Sequence, residues 1–321
     1  MQQHNASWRP SATLATLRSR NELFRQVRRF FESRDVLEVE TPVLSRAATV
    51  DRQIESLHTD DGRWLATSPE FSMKRLLAAG SGPLFQISRV FRFDECGRLH
   101  NPEFTLLEWY RPGWSPDALM DEVEALVRTL DVSLPRFSRR RYRDLFLDEL
   151  QVDPFTGSVE DIRTALASRI ALPPGDDPEI RQDRDFWLDF AMGTLVGPRL
   201  GIDAPSFVCD YPASQAALAR VRDGDPPVAE RFELYWRGIE LANGYHELAD
   251  AGEQRRRFVA DQEWRRAHGR CVPPYDEHLV EALASDFPDC SGVALGMDRL
   301  IMLILNLPSV SAAMAFDYDR A

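Results

Sequence analysis

One stretch of the sequence, residues 91–110, constrains the fold more than any other. Two runs with strand-like alternation flank a polar loop that contains Gly97, and this arrangement predicts an antiparallel β-hairpin. On the second run, Glu108 and Tyr110 share one face, because side chains two residues apart in a strand point to the same side. A carboxylate and a phenol on an otherwise apolar face suit a buried cation. The stretch therefore indicates an antiparallel sheet with a binding function.

The loop of this hairpin carries a second chemical signal. It contains the polar residues Arg92, Arg98, His100 and Asn101. Guanidinium groups present a planar fork of donors that matches phosphate oxygens. The hairpin therefore offers phosphate binding in its loop and amine binding on its second strand. For any one of these residues taken alone, an ordinary hairpin with solvated charges is the alternative.

Residues 100–110, His-Asn-Pro-Glu-Phe-Thr-Leu-Leu-Glu-Trp-Tyr, closely resemble motif 2 of the lysyl branch of class II aminoacyl-tRNA synthetases. The segment from residue 292 to 304 resembles motif 3, and a helix and strand before Pro42 resemble motif 1. The resemblance implies an α+β class II catalytic core, in which helices surround an antiparallel sheet. Within the lysyl branch, the sequence is most similar to the stand-alone paralogues that act on elongation factor P.

The resemblance also implies the roles of individual residues. Arg92 and Arg299 would be the catalytic residues that meet the ATP phosphates. The substrate-binding residues would be Ser68, Pro69, Glu70, Glu108, Tyr110, Glu247 and Ala294. The ATP-binding residues would be Arg92, Phe93, Asp94, Asn101, Glu240, Leu241, Gly296 and Arg299. Two of these residues depart from the family: Asp94 stands where motif 2 usually has glutamate, and Ala294 stands where lysyl-tRNA synthetases generally carry glycine.

A second concentration of polar residues lies between residues 231 and 248. The segment predicts a pair of strands that pivot on Asn243 and Gly244, because Asn-Gly is a strong turn signal. Such a bend would bring Glu240 and Glu247 close together. Magnesium prefers carboxylate oxygens combined with nucleotide phosphates, so these two glutamates could share a hard cation. The resemblance implies that they are the Mg²⁺ ligands.

The start of the chain predicts the domain organisation. Asn21 is placed to cap a helix with apolar residues at helical spacing, and a strand from residue 36 to 42 follows. Motif 1 builds the homodimer interface in class II enzymes, so the resemblance implies a homodimer. We expect residues 1–19 to form a leader and residues 20–321 to form one catalytic domain without an anticodon-binding domain.

The composition of the chain limits the kinds of partner that it can bind. The formal net charge is −12 and the isoelectric point is near 5.1, so a polyanion such as tRNA is an unfavourable partner. The four cysteines lack metal-ligand spacing. The sequence shows neither an apolar run of about 18 residues nor a secretory signal, so we expect a cytoplasmic protein without a membrane segment. Lys74 is the single lysine, which leaves few amines for accidental self-acylation.

Three functions follow as hypotheses. The resemblance favours an ATP- and Mg²⁺-dependent ligase that activates (R)-beta-lysine, or lysine, as the adenylate and transfers it to the ε-amine of a lysine on elongation factor P. A truncated lysyl-tRNA synthetase-like enzyme acylating tRNA or a small acceptor is the second. A catalytically silent regulatory paralogue is the third. A silent protein has no physical need for phosphate and metal ligands, so this function is disfavoured by the presence of Arg92, Glu240, Glu247 and Arg299.

Overall fold

The computed structural model describes residues 8–93, 96–173 and 181–321. The helices are α1 (Leu14–Glu32), α2 (Glu70–Ala78), α3 (Pro116–Leu130), α4 (Tyr142–Leu150), α5 (Val159–Ala167), α6 (Arg184–Ala191), α7 (Ala251–Ala267), α8 (Glu277–Leu283) and α9 (Met297–Ile304). The strands are β1 (Leu37–Glu38), β2 (Leu44–Ser45), β3 (Trp64–Leu65), β4 (Leu84–Phe91), β5 (Glu103–Pro112), β6 (Ser138–Arg141), β7 (Ser206–Pro212), β8 (Val221–Arg222), β9 (Val228–Trp236), β10 (Ile239–His246) and β11 (Cys290–Gly296).

The chain divides into two compact units. The first unit comprises residues 1–114, 125–132 and 249–321, and the second comprises residues 115–124 and 133–248. In the first unit the strand order is β1-β4-β5-β11. Strands β4 and β5 pair antiparallel in continuous register, from Leu84 opposite Tyr110 to Phe91 opposite Glu103. The hairpin predicted from residues 91–110 is therefore confirmed.

Two further pairings complete the sheet of the first unit. Strand β11 lies antiparallel to β5, and β1 pairs with β4 in parallel. Helix α1 packs against this sheet through Phe31, whose ring centroid lies 4.5 Å from that of Phe85 and 5.3 Å from that of Trp109. Strands β2 and β3 form a separate antiparallel pair.

Helix α1 begins earlier than the sequence predicted. Thr13 is its N-cap, since the backbone N–H of Thr16 donates to Thr13 Oγ1 at 3.1 Å. Asn21 lies inside the helix, so its predicted capping role is wrong. The physical reason is that the buried side of the helix extends back to Arg20, one turn before the apolar residues used to place the start. Residues before the helix are also bound, because the Ser11 amide donates to Ala315 O at 2.8 Å.

The second unit has the strand order β10-β9-β7-β6, and β8 pairs with β9. Pairing is antiparallel except between β6 and β7. Its apolar core is formed by side chains of α4, α5 and α6 packed with side chains of β7 and β9, including Phe146, Ile162, Leu188 and Val208. Helix α6 is followed by a π turn and a 3-10 turn that end at Arg199.

The turn between β9 and β10 contradicts the predicted pivot. The chain reverses at Arg237 and Gly238, with φ angles of 52° and 73°, as a tight hairpin turn requires. Asn243 and Gly244 lie inside β10 instead. Gly244 is needed there for packing, because a Cβ atom at that position would lie 2.3 Å from the Phe232 ring. The Asn-Gly pair therefore accommodates an aromatic ring and makes no turn.

These elements confirm the predicted α+β class with largely antiparallel pairing. Among the helices that the structure describes, none is both long and apolar enough to cross a membrane. The division into a leader and one catalytic domain stays a prediction.

Candidate active site

The second hairpin strand carries a buried carboxylate on the sheet of the first unit. Glu108 is 2 % exposed. Its two oxygens accept hydrogen bonds from different hydroxyl groups: Tyr110 Oη donates to Oε1 at 2.6 Å, and Ser68 Oγ donates to Oε2 at 2.7 Å. The shared face of Glu108 and Tyr110 predicted from the strand period is thereby confirmed.

Helix α2 brings a second carboxylate and a cation into this region. The backbone N–H of Glu70 donates to Ser68 Oγ at 3.0 Å, so one serine links Glu70 and Glu108. One turn later, Lys74 Nζ donates to Glu70 Oε1 at 2.5 Å, and Lys74 is only 1 % exposed. We call Ser68, Glu70, Lys74, Glu108 and Tyr110 the acidic pocket.

The acidic pocket contains more negative than positive formal charge. Burial, and secondarily the negative charge of Glu70, raise the pKa of Glu108 to about 7, although hydrogen bonds from Tyr110 and Ser68 and the charge of Lys74 oppose the shift. Two carboxylates face one ammonium group. A ligand with a further ammonium group would restore the balance and favour ionised Glu108.

Strands β4, β5 and β11 lie side by side at Glu108. Ala294 of β11 and Gln86 of β4 are its cross-strand partners on either side, so all three side chains lie on one face of the sheet. Ala294 is half-buried, and so is Gly296 at the end of β11. The methyl group of Ala294 therefore borders the acidic pocket.

The two predicted catalytic arginines border the hairpin loop. Arg299, in the first turn of α9, donates from Nε to Leu99 O at 3.1 Å and lies with Nη2 2.7 Å from His100 Nε2. The guanidinium carbon of Arg92 lies 5.1 Å from the centre of the Phe104 ring. Both guanidinium groups therefore lie beside the segment that the sequence assigned to phosphate binding.

A buried ion pair holds the residue next to Arg299. Arg20 of α1 donates from Nη1 to Asp298 Oδ1 at 2.5 Å and from Nη2 to Thr105 Oγ1 at 3.0 Å. Asp298 Oδ2 accepts from the Thr105 backbone N–H at 2.6 Å. These bonds connect α1, the start of β5 and the start of α9, so they fix the direction from which Arg299 approaches the loop.

The remaining predicted ATP residues of this unit differ in accessibility. Phe93 is 53 % exposed, which leaves its ring available for stacking. Asn101 is buried, donating to Glu103 O at 2.6 Å and accepting from the Tyr318 backbone N–H at 2.9 Å, so its side chain shapes the loop. Asp94 lies outside the described residues.

The second unit holds Glu240, Leu241 and Glu247. The first two lie in β10, and Glu247 follows its end. The premise that a bend between the two glutamates brings them together is wrong, because they follow one another along a single strand. A register shift after Glu240 pairs it with Tyr235 and pairs Asn243 with Glu233.

This register shift decides which side chains share a face. Because Tyr235 and Glu233 lie two residues apart on β9, their partners Glu240 and Asn243 face the same side. Alternation beyond Asn243 brings Glu247 to that side as well. The carboxylate oxygens of Glu240 and Glu247 are hard donors of the kind that Mg²⁺ prefers. In the part of the chain that the structure describes, no three or more His, Cys, Asp or Glu side chains form a group that could hold a metal ion. Leu241 is buried.

Comparison with protein families identifies the fold. The family model described as tRNA synthetases class II (D, K and N) matches residues 1–320. The chain belongs to this family. Class II enzymes of this kind activate amino acids with ATP and Mg²⁺, and the antiparallel α+β architecture of the chain is consistent with their catalytic core.

Several residues near the candidate site were not recognised from the sequence. Lys74 lies four residues after Glu70, and that spacing on a helix could have indicated the pair. Gln86 became part of the site only through its register with Glu108, and Arg20 only through its contact with Asp298. The contact between Arg20 and Asp298 has no local sequence signal, because the two residues lie far apart along the chain.

Proposed function

We propose that this class II synthetase activates (R)-beta-lysine as the adenylate and transfers the acyl group to the ε-amine of a lysine on elongation factor P. The observation that carries the proposal is the acidic pocket, in which Glu70 and Glu108 face a single buried cation, Lys74. A substrate with two ammonium groups suits such a pocket better than an apolar or acidic amino acid does.

The preference for a β-amino acid rests on Ala294. Its methyl group lies on the same face as Glu108 and fills space that glycine would leave open. A substrate whose amine is displaced to the β-carbon carries less bulk beside the carboxylate. One methyl group shifts discrimination between related substrates by about 1–3 kcal/mol.

Activation of the substrate requires correct placement of the reacting atoms and neutralisation of phosphoryl charge more than it requires proton transfer. A carboxylate oxygen of the substrate forms a bond to the α-phosphorus of ATP, and the bond from that phosphorus to pyrophosphate breaks. The substrate carboxylate is already ionised at neutral pH, so no general base is required. Arg92 and Arg299, beside the hairpin loop, would neutralise developing phosphoryl charge.

Magnesium belongs to the same proposal. Glu240 and Glu247 would each supply carboxylate oxygens to Mg²⁺, and the nucleotide phosphates would supply further ligands. When bound, the ion neutralises charge on the phosphate oxygens and orients the nucleotide. The exposed ring of Phe93 would stack on adenine.

The second step makes an amide. The lysine ε-amine of the acceptor attacks the acyl carbon, a C–N bond forms, AMP leaves and the attacking amine loses a proton. A protein acceptor agrees with the net charge of −12, because such a chain attracts RNA poorly through its mean field. The resemblance to stand-alone paralogues supports elongation factor P as that protein and a cytoplasmic location.

Two measurements test this function. Pyrophosphate exchange into ATP should depend on beta-lysine and Mg²⁺, and it should be lost in Arg299→Ala and retained in Arg89→Gln. The exposed side chain of Arg89 lies on the face of β4 opposite Gln86, where it pairs with Glu103 at 3.5 Å. The second measurement follows labelled beta-lysine in a mixture with ATP and either elongation factor P or total tRNA. Label on the protein supports the proposal. Label removed by ribonuclease would favour the tRNA alternative, and absence of exchange with every lysine isomer would favour a silent paralogue.

A further inference from the structure

Gln86 is a buried polar residue without an assigned role. It is 4 % exposed and lies directly across from Glu108 in the β4–β5 pairing. Within the described residues its Oε1 atom is fully buried and has no hydrogen-bond partner. The residues on either side of it on the same face of β4, Leu84 and Ser88, are also buried, and Ser88 Oγ likewise lacks a partner.

An amide in this position is costly for the folded protein. A buried acceptor left without a hydrogen bond costs about 1–3 kcal/mol relative to a satisfied one. An apolar side chain of the same shape, such as leucine, would fill the same space on the strand without this penalty. A bound ligand that donates a hydrogen bond to Gln86 Oε1 would remove this penalty.

We propose that Gln86 is a specificity residue whose Oε1 atom accepts a hydrogen bond from the terminal ammonium group of the substrate. The inference rests on the proposed function, because it places an ammonium group in the acidic pocket. Side chains of cross-strand partners have Cβ atoms about 4.5–5.5 Å apart. The amide of Gln86 and the carboxylate of Glu108 therefore reach a common point above the sheet.

The count of donors and acceptors at this point agrees with an ammonium ligand. An alkylammonium group has three hydrogens to donate. Glu108 supplies one acceptor, Gln86 Oε1 supplies another, and Tyr110 Oη, whose own hydrogen goes to Glu108, keeps lone pairs for a third. Gln86 adds its acceptor without adding charge, so the formal charge of the acidic pocket stays at one negative and one ammonium group balances it.

The test is equilibrium binding to the full-length protein, measured by isothermal titration calorimetry. The probes are α-lysine, beta-lysine and 6-aminohexanoate, the last of which keeps the carboxylate and the terminal ammonium group but lacks the backbone amine. Gln86→Leu should weaken binding of all three about 10- to 100-fold, as expected when a hydrogen bond to a charged group is lost. Arg89→Gln, on the opposite face of β4, should bind like wild type.

Thermal unfolding distinguishes ligand binding from a structural role. Since Gln86 Oε1 has no hydrogen bond within the described protein, Gln86→Leu should unfold at the wild-type temperature or above it. Gln86→Met, which keeps the length of the side chain, should reproduce both results and serves if the leucine variant does not fold.

Four outcomes would overturn the inference. The first is wild-type affinity in both Gln86 variants, and the second is a lowered unfolding temperature in both variants. The third is weakened binding of the two lysines without weakened binding of 6-aminohexanoate. The fourth is a wild-type protein that binds none of the probes. Pyrophosphate exchange separates this inference from the proposed function. A protein that binds lysine through Gln86 but shows no exchange with any isomer would retain the inference and lose the function.

Discussion

Glu108 connects the chemistry of the acidic pocket to the stability of the protein. Its side chain is buried beside Glu70, and the nearest cation, Lys74, is already hydrogen-bonded to Glu70. Ionising Glu108 without a bound ligand therefore places two carboxylates beside one ammonium group, so the negative charge of the acidic pocket is only partly balanced. This situation makes the unliganded pocket strained at neutral pH and receptive to a cation.

The first prediction concerns the pH dependence of the unliganded protein. The pKa of Glu108 is raised from 4.5 to about 7 in the folded state. Its contribution to stability is therefore fully present below the unfolded pKa and is lost as the pH rises through about 7. Between pH 4.5 and pH 8, the free energy of unfolding should fall in both proteins. The fall should be smaller in Glu108→Gln than in wild type, by on the order of 3 kcal/mol. Denaturant unfolding at these pH values measures it, and identical pH profiles would contradict the assignment.

The second prediction concerns proton release. A bound ammonium group favours ionised Glu108, so binding of lysine near pH 6 should release protons into the buffer. Calorimetric titration in two buffers with different ionisation enthalpies measures the number released. Glu108→Gln should release fewer protons, and proton uptake by wild type would refute the proposed contact.

The third prediction concerns Ala294. Ala294→Gly should improve activation of α-lysine relative to beta-lysine by about 1–3 kcal/mol, because it removes the methyl group that borders the acidic pocket. The ratio of pyrophosphate-exchange rates for the two isomers measures this change. An unchanged ratio would exclude Ala294 from isomer selection.

At the scale of elements, the β9–β10 hairpin depends on two different uses of glycine. Gly238 takes part in the turn with a φ of 73°. Gly244 lies in the strand and makes room for Phe232. The register shift after Glu240 therefore lies between the tight turn at Gly238 and the packed ring of Phe232.

The fourth prediction tests this packing. Gly244→Ala should lower the free energy of unfolding by about 1–3 kcal/mol, because the added methyl group collides with the buried Phe232 ring. Gly193→Ala is a matched control, since a Cβ atom there meets no atom within 4 Å. The control should be neutral or stabilising by up to about 1 kcal/mol. Equal denaturation midpoints for the two variants would contradict the role of Gly244.

At the scale of the whole molecule, exposed apolar residues accompany the segment that resembles motif 1. Leu37 on β1, Val43 just before β2 and Leu44 on β2 have exposed side chains. A monomer gains nothing from apolar side chains in water. Their location agrees with the homodimer that we propose from the motif 1 resemblance.

The fifth prediction follows from these residues. Leu37→Asp combined with Leu44→Asp should shift the protein from dimer to monomer in sedimentation velocity, because charged groups would be desolvated at the proposed interface. Val132→Asp is the control, since Val132 is exposed as well but lies outside motif 1. A wild-type protein that sediments as a monomer at every concentration tested would refute the dimer.

Local patterns in the sequence determined the β4–β5 hairpin and the common face of Glu108 and Tyr110, whereas the α+β class was implied by the resemblance. Strand alternation and turn chemistry depend on neighbouring residues, so they are visible in the sequence. The roles of the predicted ATP and metal residues rest on resemblance, and they stay predictions. Resemblance alone placed Arg299 near ATP, and the structure adds its contacts with Leu99 and His100.

Tertiary structure alone decided the features that join distant segments. Asn-Gly is a strong turn signal, yet the ring of Phe232 required Gly244 inside a strand and moved the turn to Arg237 and Gly238. The pairing of Gln86 and Ala294 with Glu108 is likewise a matter of register. Register is set by packing between strands that are far apart along the chain, and a local pattern carries no information about which distant side chain will lie opposite.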